Sequence, residues 1–361
     1  MPDFRSDTVT QPSVAMKQAM LNAALGDDVF NDDPTTIALQ RYAADMLGFE
    51  DALFAPSGTQ TNLIAMMSHC QRGDEAIVGQ QWHTYKWEAG GMAVLGSIQP
   101  QPIALQADGS LALQDISDAI KPDDPHFARS RLIVIENTIG GKVLPLRYMQ
   151  QVAALAKEKQ LQCHIDGARL FNAAVALAPQ HQLSPTAMAK ALCQGYDSVS
   201  ICLSKGLGAP VGSLLLGSQA FIQRARRVRK MLGGGMRQTG ILTAAGLYAL
   251  QHNIQRLAED HHNADTLAKG LQALSSQGCF AGHLQLDLPQ TNIVFTDITP
   301  AVANELLDFL AKHNVKLTSS NYASASGNLT RLRWVCHLDV SAADIATTLD
   351  LLSQFAHSRS H

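Results

Sequence analysis

Cysteine is scarce and poorly placed for metal or redox work. The six residues Cys70, Cys163, Cys193, Cys202, Cys279 and Cys336 contain no CxxC pair, and none stands at zinc-ligand spacing from a histidine. That argues against a structural zinc site and a thioredoxin-like motif, and leaves reduced, mostly buried thiols as the expectation. Long apolar runs are missing too: no stretch reaches the length of a membrane span. The opening MPDFRSDTVT carries charges where a signal peptide needs an apolar core. A soluble, cytoplasmic protein with no membrane partner is expected. Charge of one sign is lacking, with 28 basic and 31 acidic residues and a net charge of -3. Such a balance offers nucleic acid no general attraction. One basic run exists, RARRVRK at 224–230, and it reads better as a solvated or interfacial helix face than as a DNA contact. A dinucleotide loop is absent as well. Gly206 and Gly208 are not followed by the third glycine that such a loop needs, since Gly212 lies too far on. This argues against a nicotinamide dehydrogenase.

What is present is a well-furnished core. Hydrophobic residues make up 46% of 361 and charged residues 16%, enough for two domains or so. Short apolar runs alternate with longer helical stretches. The strand candidates are residues 52–55, 75–79, 131–137, 161–166, 197–203 and 211–217. The helix candidates include 13–25 (stopped by Gly26), 35–48, 59–70 and 146–160, with 240–274 as one long helical region or two. Alternation of this kind predicts an α/β domain with a largely parallel sheet, which binds ligands at the carboxyl ends of its strands. Residues 290–361 carry the mixed signals of a smaller α+β domain. The expected division is an N-terminal arm at the active site (1–13), a large domain (14–250) and a small C-terminal domain (251–361).

Four features fall at expected strand ends or helix starts. PSGTQTN (56–62) follows an apolar run and opens a helix. Ser57, Gly58 and Thr59 could cradle a phosphate there, or simply form an N-cap with a turn glycine. In HIDGAR (164–169), Asp166 ends a strand; its carboxylate could hold a proton on a ring nitrogen, or cap the next helix. His83, in QWHTYKWEAGG (81–91), could stack on a ring or move a proton, or pack among Trp82, Tyr85 and Trp87. Lys205, in SICLSKGLGAPVG (200–212), follows an apolar strand and precedes Gly206 and Gly208. A solvated lysine needs neither neighbour. A buried amine that must form an imine close to the backbone needs both. Together the four specify pyridoxal 5'-phosphate (PLP): a phosphate site, a carboxylate for the ring nitrogen, a stacking histidine and a Schiff base on Lys205.

The chain also resembles a known family over nearly its whole length. RSDTVTQPS (5–13), GDDVFNDDPT (26–35), PSGTQTNL (56–63), GGKVLP (140–145), HIDGARLFNA (164–173), SICLSKGLGAPVGSLL (200–215), RKMLGGGMRQTGIL (229–242) and HLDV (337–340) resemble the low-specificity threonine aldolases. The resemblance implies a fold-type-I PLP-dependent transferase-like fold. It implies retro-aldol cleavage of L-threonine, L-allo-threonine and related β-hydroxy-α-amino acids to glycine and an aldehyde. It implies further that Ser6, Arg169 and Arg333 bind the substrate carboxylate, that His83 stacks on the cofactor, and that His126 approaches the substrate hydroxyl. His83 or His126 is the implied base. Arg237 and Lys230 are implied to reach the cofactor phosphate of a neighbouring subunit, in a homotetramer built as a dimer of dimers with shared sites. Another PLP reaction, β-elimination or transamination, is the alternative, and a bound metal is left open. Two departures from the family pattern stand out. Ile139 and Gly140 replace a histidine and an asparagine, and Phe30 and Asn31 replace a Tyr-Gly pair.

Overall fold

Seven strands form one sheet in the computed structural model, which describes residues 2–276, 280, 284–324 and 327–359. In chain order they are β1 (Asp51–Ala55), β2 (Asp74–Gly79), β3 (Gln99–Ile103), β4 (Arg129–Glu136), β5 (Gln162–Gly167), β6 (Ser198–Cys202) and β7 (Ser213–Gly217). Their spatial order is β1-β7-β6-β5-β4-β2-β3. The pairs β3–β2, β2–β4, β4–β5 and β5–β6 are parallel, while β7 runs antiparallel to both its neighbours. The central strands are buried on both faces, as a helix-covered parallel sheet requires.

The sequence expectation misses β3. Its residues are Gln-Pro-Gln-Pro-Ile, and Pro100 and Pro102 argue against a strand. The structure accommodates them because β3 is an edge strand, paired on one side only. The first helix is shorter than expected, Val14–Leu21 rather than 13–25, and ends on Asn22. The region 240–274 resolves into two helices, Gly240–His252 and Leu257–Ser276.

Two helices show how local chemistry sets the ends. Pro34–Leu47 starts on Asp33, whose carboxylate accepts from the Thr36 N–H at 2.8 Å, with Pro34 in the first turn. It stops at Gly48, whose φ of +80° suits a residue without Cβ. Gly58–His69 starts on Ser57, whose hydroxyl accepts from the Gln60 N–H. A Cβ on Gly58 would lie 2.7 Å from Cys202 Sγ, so glycine lets this helix tip press against the end of β6.

The chain divides into two compact units, Pro12–Gln255 and Met1–Gln11 with Arg256–His361. The second unit has its own antiparallel sheet of β8 (Gln285–Leu286), β9 (Ile293–Ile298), β10 (Thr318–Ser324) and β11 (Gly327–Val335). The start of the N-terminal arm is sewn into it. Phe4 is fully buried and meets Trp334 edge-on at 5.6 Å, and its backbone bonds to Lys316 and Val335. Five cysteines, Cys70, Cys163, Cys193, Cys202 and Cys336, are free and buried; Cys279 lies outside the described residues. Among the described residues no helix is long and apolar enough to cross a membrane.

Candidate active site

The carboxyl edge of the sheet gathers the polar residues. Asp166 lies near the end of β5, opposite Glu136 on β4 and Ser200 on β6. It is 2% exposed. Its Oδ2 accepts from Asn62 Nδ2 at 2.9 Å, and its Oδ1 from the Ala168 N–H at 3.2 Å. Lys205 follows β6 by three residues, on a tight loop rather than on the strand itself. Gly208 N–H closes onto its carbonyl at 2.8 Å with φ +79°, a conformation that suits glycine. The lysine is half-buried, and its charge acts on both His83 and Glu136.

His83 opens the turn of helix after β2. Trp82, fully buried, packs against Gly79, where a Cβ would come within 2.4 Å of its ring. That anchor sets the next residue. The His83 N–H donates to Glu136 Oε2 at 2.6 Å, and its Nδ1 lies 2.8 Å from Glu88 Oε1. The expected aromatic cluster does not form around it: Tyr85 and Trp87 are exposed, and the partners of His83 are carboxylates. Asn62 Nδ2 also reaches Glu88, at 2.9 Å, so one amide nitrogen serves Glu88 and Asp166 together.

The electrostatics follow from this crowding. The hydrogen bond that His83 Nδ1 donates to the Glu88 carboxylate holds the pKa of His83 above its ordinary value, and the Asp166 charge adds to it. Burial raises Glu88. Burial and then the Asp166 charge push Glu136 up to about 8. This is a pocket crowded with buried carboxyl groups whose charged forms burial and mutual repulsion disfavour, and a cationic group among its ligands would relieve them. Ligand atoms of His83, Glu88 and Asp166 lie within 4.8 Å of one another, close enough for a metal ion. Asn62 argues against one, because both its N–H bonds point at the carboxylates that a cation would need. A protonated ring nitrogen against Asp166, with His83 beside it, matches the donor set better.

The remaining expected residues are distributed as follows. Ser57 is an N-cap, yet the same helix tip leaves the Gly58 and Thr59 N–H groups without intrahelical partners. The two readings are compatible. Arg169 is the N-cap residue of the helix Leu170–His181, directly after β5. His126 stands on an exposed turn with its Nδ1 2.6 Å from Asp124 Oδ1, and its side chain is 85% exposed. Arg237 pairs with Asp27 at 3.0 Å, beside Phe30. Lys230 ends the exposed face of the helix Gln219–Met231. In the second unit, Ser6 caps the short turn Asp7–Val9, and Arg333 on β11 donates to the Arg5 carbonyl at 3.2 Å. Ser6 and Arg333 are thus brought near one another by the arm.

Much of the basic run 224–230 is committed to the fold. Arg229 forms a buried ion pair with Asp28 at 2.6 Å and donates to the Phe54 carbonyl, Arg226 reaches Asp51, and Arg224 lies over Phe221.

Both departures from the family pattern keep the backbone intact. Asn31 has φ +59°, a region that asparagine tolerates better than most residues. Gly140 and Gly141 have φ of +55° and +83° and form a tight turn closed by two backbone bonds between Ile139 and Lys142. Such a turn needs positive φ at both central residues.

One site neighbour makes acid stability predictable. His164, on the same face of β5 as Asp166, is fully buried and its pKa is lowered by burial to about 4. The ordinary value is 6.5, so unfolding takes up a proton in that window. Its contribution is complete above pH 6.5 and is lost as pH falls towards 4, by about 3 kcal/mol at the lower end. Urea midpoints measured across this range should fall with acid, and less steeply in His164→Gln. Equal slopes in the two proteins would refute the assignment.

Residues 3–299 match the beta-eliminating lyase family model. A low-specificity L-threonine aldolase of Escherichia coli K12 is 50% identical over 346 residues, covering 96% of each chain. A threonine aldolase of Leishmania major superposes with a TM-score of 0.82 at 20% identity, over 99% of this chain and all of that one. A serine palmitoyltransferase from S. paucimobilis, solved with PLP and myriocin bound, superposes with a TM-score of 0.70 at 15% identity, over 100% of this chain and 87% of that one. The fold, the cluster at the sheet's carboxyl edge and these matches converge: the chain belongs to the low-specificity L-threonine aldolases, a family of fold-type-I PLP-dependent lyases.

Proposed function

We propose that this chain cleaves L-threonine, L-allo-threonine and related β-hydroxy-α-amino acids to glycine and an aldehyde, with Lys205 holding PLP as a Schiff base. The observation that carries the reading is the buried Asp166 carboxylate, fixed by Asn62, with its charge and that of Lys205 both acting on the neighbouring His83. PLP, when bound, accepts the electron pair released as the Cα–Cβ bond breaks. Asp166 keeps the proton on the ring nitrogen. The N–H groups of Gly58 and Thr59, at the positive end of their helix, hold the phosphate. His83 would stack on the ring.

Arg169 and Arg333 bind the substrate carboxylate, with Ser6 beside it, and so orient the bond to be broken. His83 or His126 takes the β-hydroxyl proton. Of the two, His83 belongs to the buried cluster, whereas His126 must act from an exposed turn. Arg237 and Lys230 serve the phosphate of a neighbouring copy in a homotetramer. The cytoplasm, with its reducing poise, suits the five free thiols.

The test is product analysis of the PLP-loaded protein given L-threonine. Acetaldehyde and glycine in equal amounts support the proposal. Ammonia with 2-oxobutanoate would assign β-elimination instead. Conversion of the cofactor to its amine form would assign transamination.

A further inference from the structure

We infer that His164, Ser198 and His69 are positioning residues, whose one-directional chain of hydrogen bonds locks the Asn62 carboxamide in the orientation that serves Asp166. This rests on the reading that Asp166 faces the cofactor. The geometry is continuous. Asn62 Oδ1 lies 3.2 Å from His164 Nε2, His164 Nδ1 lies 2.8 Å from Ser198 Oγ, and Ser198 Oγ lies 2.7 Å from His69 Nε2. His164 and Ser198 are directly paired across β5 and β6. Asn62 and His69 stand seven residues apart on the helix Gly58–His69, and therefore on one face of it. The chain leaves the helix at Asn62, crosses two strands and returns to the helix two turns on.

Chemistry fixes its direction. Asn62 faces two carboxylates with one terminal atom, and the NH2 group can satisfy both where the oxygen could serve neither. Its oxygen must then face His164, so His164 Nε2 carries the proton. A neutral His164 has a bare Nδ1, which accepts the single Ser198 hydroxyl proton. Ser198 Oγ is left to accept from His69, so His69 also carries its proton on Nε2. Burial lowers the pKa of both imidazoles, to about 4 for His164 and about 3 for His69, and keeps both neutral at neutral pH.

The chain ends at His69 Nδ1, a buried atom with no partner among the described residues, in the wall of a cavity of about 770 Å³ at the amino edge of the sheet. The His69 ring is held there by stacking on Phe221 at 4.3 Å. Loss of any link frees the Asn62 amide to turn over and present its oxygen to Asp166, placing two acceptors face to face.

The test begins with the unaltered protein. Long-range proton–nitrogen spectra of 15N-histidine-labelled protein, recorded at neutral pH without cofactor, should show His164 and His69 as neutral Nε2–H tautomers. An Nδ1–H tautomer at His164 would overturn the polarity, whatever the protein's activity. Ser198→Ala should then lose the single His164 tautomer. It should also weaken PLP binding and lower kcat by about tenfold to a hundredfold, with a smaller effect on the KM for L-threonine. Ser198→Thr, which keeps the hydroxyl, should restore all three. His69→Phe tests the far end without disturbing the stack on Phe221. If Ser198→Ala and His69→Phe fold normally and leave both the His164 signal and PLP affinity unchanged, the inference fails while the proposed reaction stands.

Discussion

Lys205→Ala should lower turnover of L-threonine by more than about a thousandfold. The variant should bind PLP without the absorbance of a cofactor joined to lysine. The loop that carries Lys205 is closed by its own backbone, through the Gly208 N–H and through Leu203 bonded to Gly212 and Ala209. Truncation of a half-buried side chain on such a loop should leave the fold in place, and circular dichroism would check this. The loss is therefore chemical. On the proposed role of Lys205, removing the amine would leave the cofactor without a covalent attachment to exchange with the substrate amine. Turnover within about tenfold of the unaltered protein would move the nucleophile elsewhere.

Asp166→Asn should cost about a hundredfold to a thousandfold in kcat, with a smaller change in KM. The substitution keeps the size of the side chain and its place near the end of β5, but removes the negative charge. A neutral amide cannot hold a proton on a pyridine nitrogen, so the ring accepts electrons less readily. The same change removes an unfavourable charge from Glu136, whose pKa of about 8 is partly owed to Asp166. A titration that follows Glu136 should therefore move down in the variant, towards the ordinary carboxylate value. This second readout separates loss of charge from loss of structure. An unchanged Glu136 with an inactive enzyme would point to misplacement of the site instead.

The sequence made the site legible wherever chemistry and local structure coincide. Asp166 near a strand end, Lys205 before glycines and Ser57-Gly58 at a helix start can each be read in a short window, because parallel sheets present ligands where strands give way to loops. Glu88, Asn62 and Glu136 could not be read this way. Asn62 looks like an ordinary polar residue inside a helix, five positions past the cap. Glu88 follows His83 by five residues, a spacing with no signature. Their roles arise from packing between elements far apart in the chain: Asn62 meets Asp166 across 104 positions. The fold shows the same division. The buried strands were readable from apolar runs, whereas β3 was hidden by prolines that only an edge position permits. The basic run 224–230 is ambiguous in composition, and the structure adds what composition could not: Arg229 and Arg226 are paired with Asp28 and Asp51.

The turn at Gly140–Gly141 has an evolutionary consequence. Its shape is held by two backbone bonds and by positive φ at both glycines. Asparagine tolerates the φ of Gly140 better than most residues do, so the backbone conformation of this turn does not by itself demand glycine there. Such a position is cheap ground for drift. A lineage can change the side chain at this turn in one or two substitutions, while the lysine, the aspartate and the sheet that carries them stay as they are.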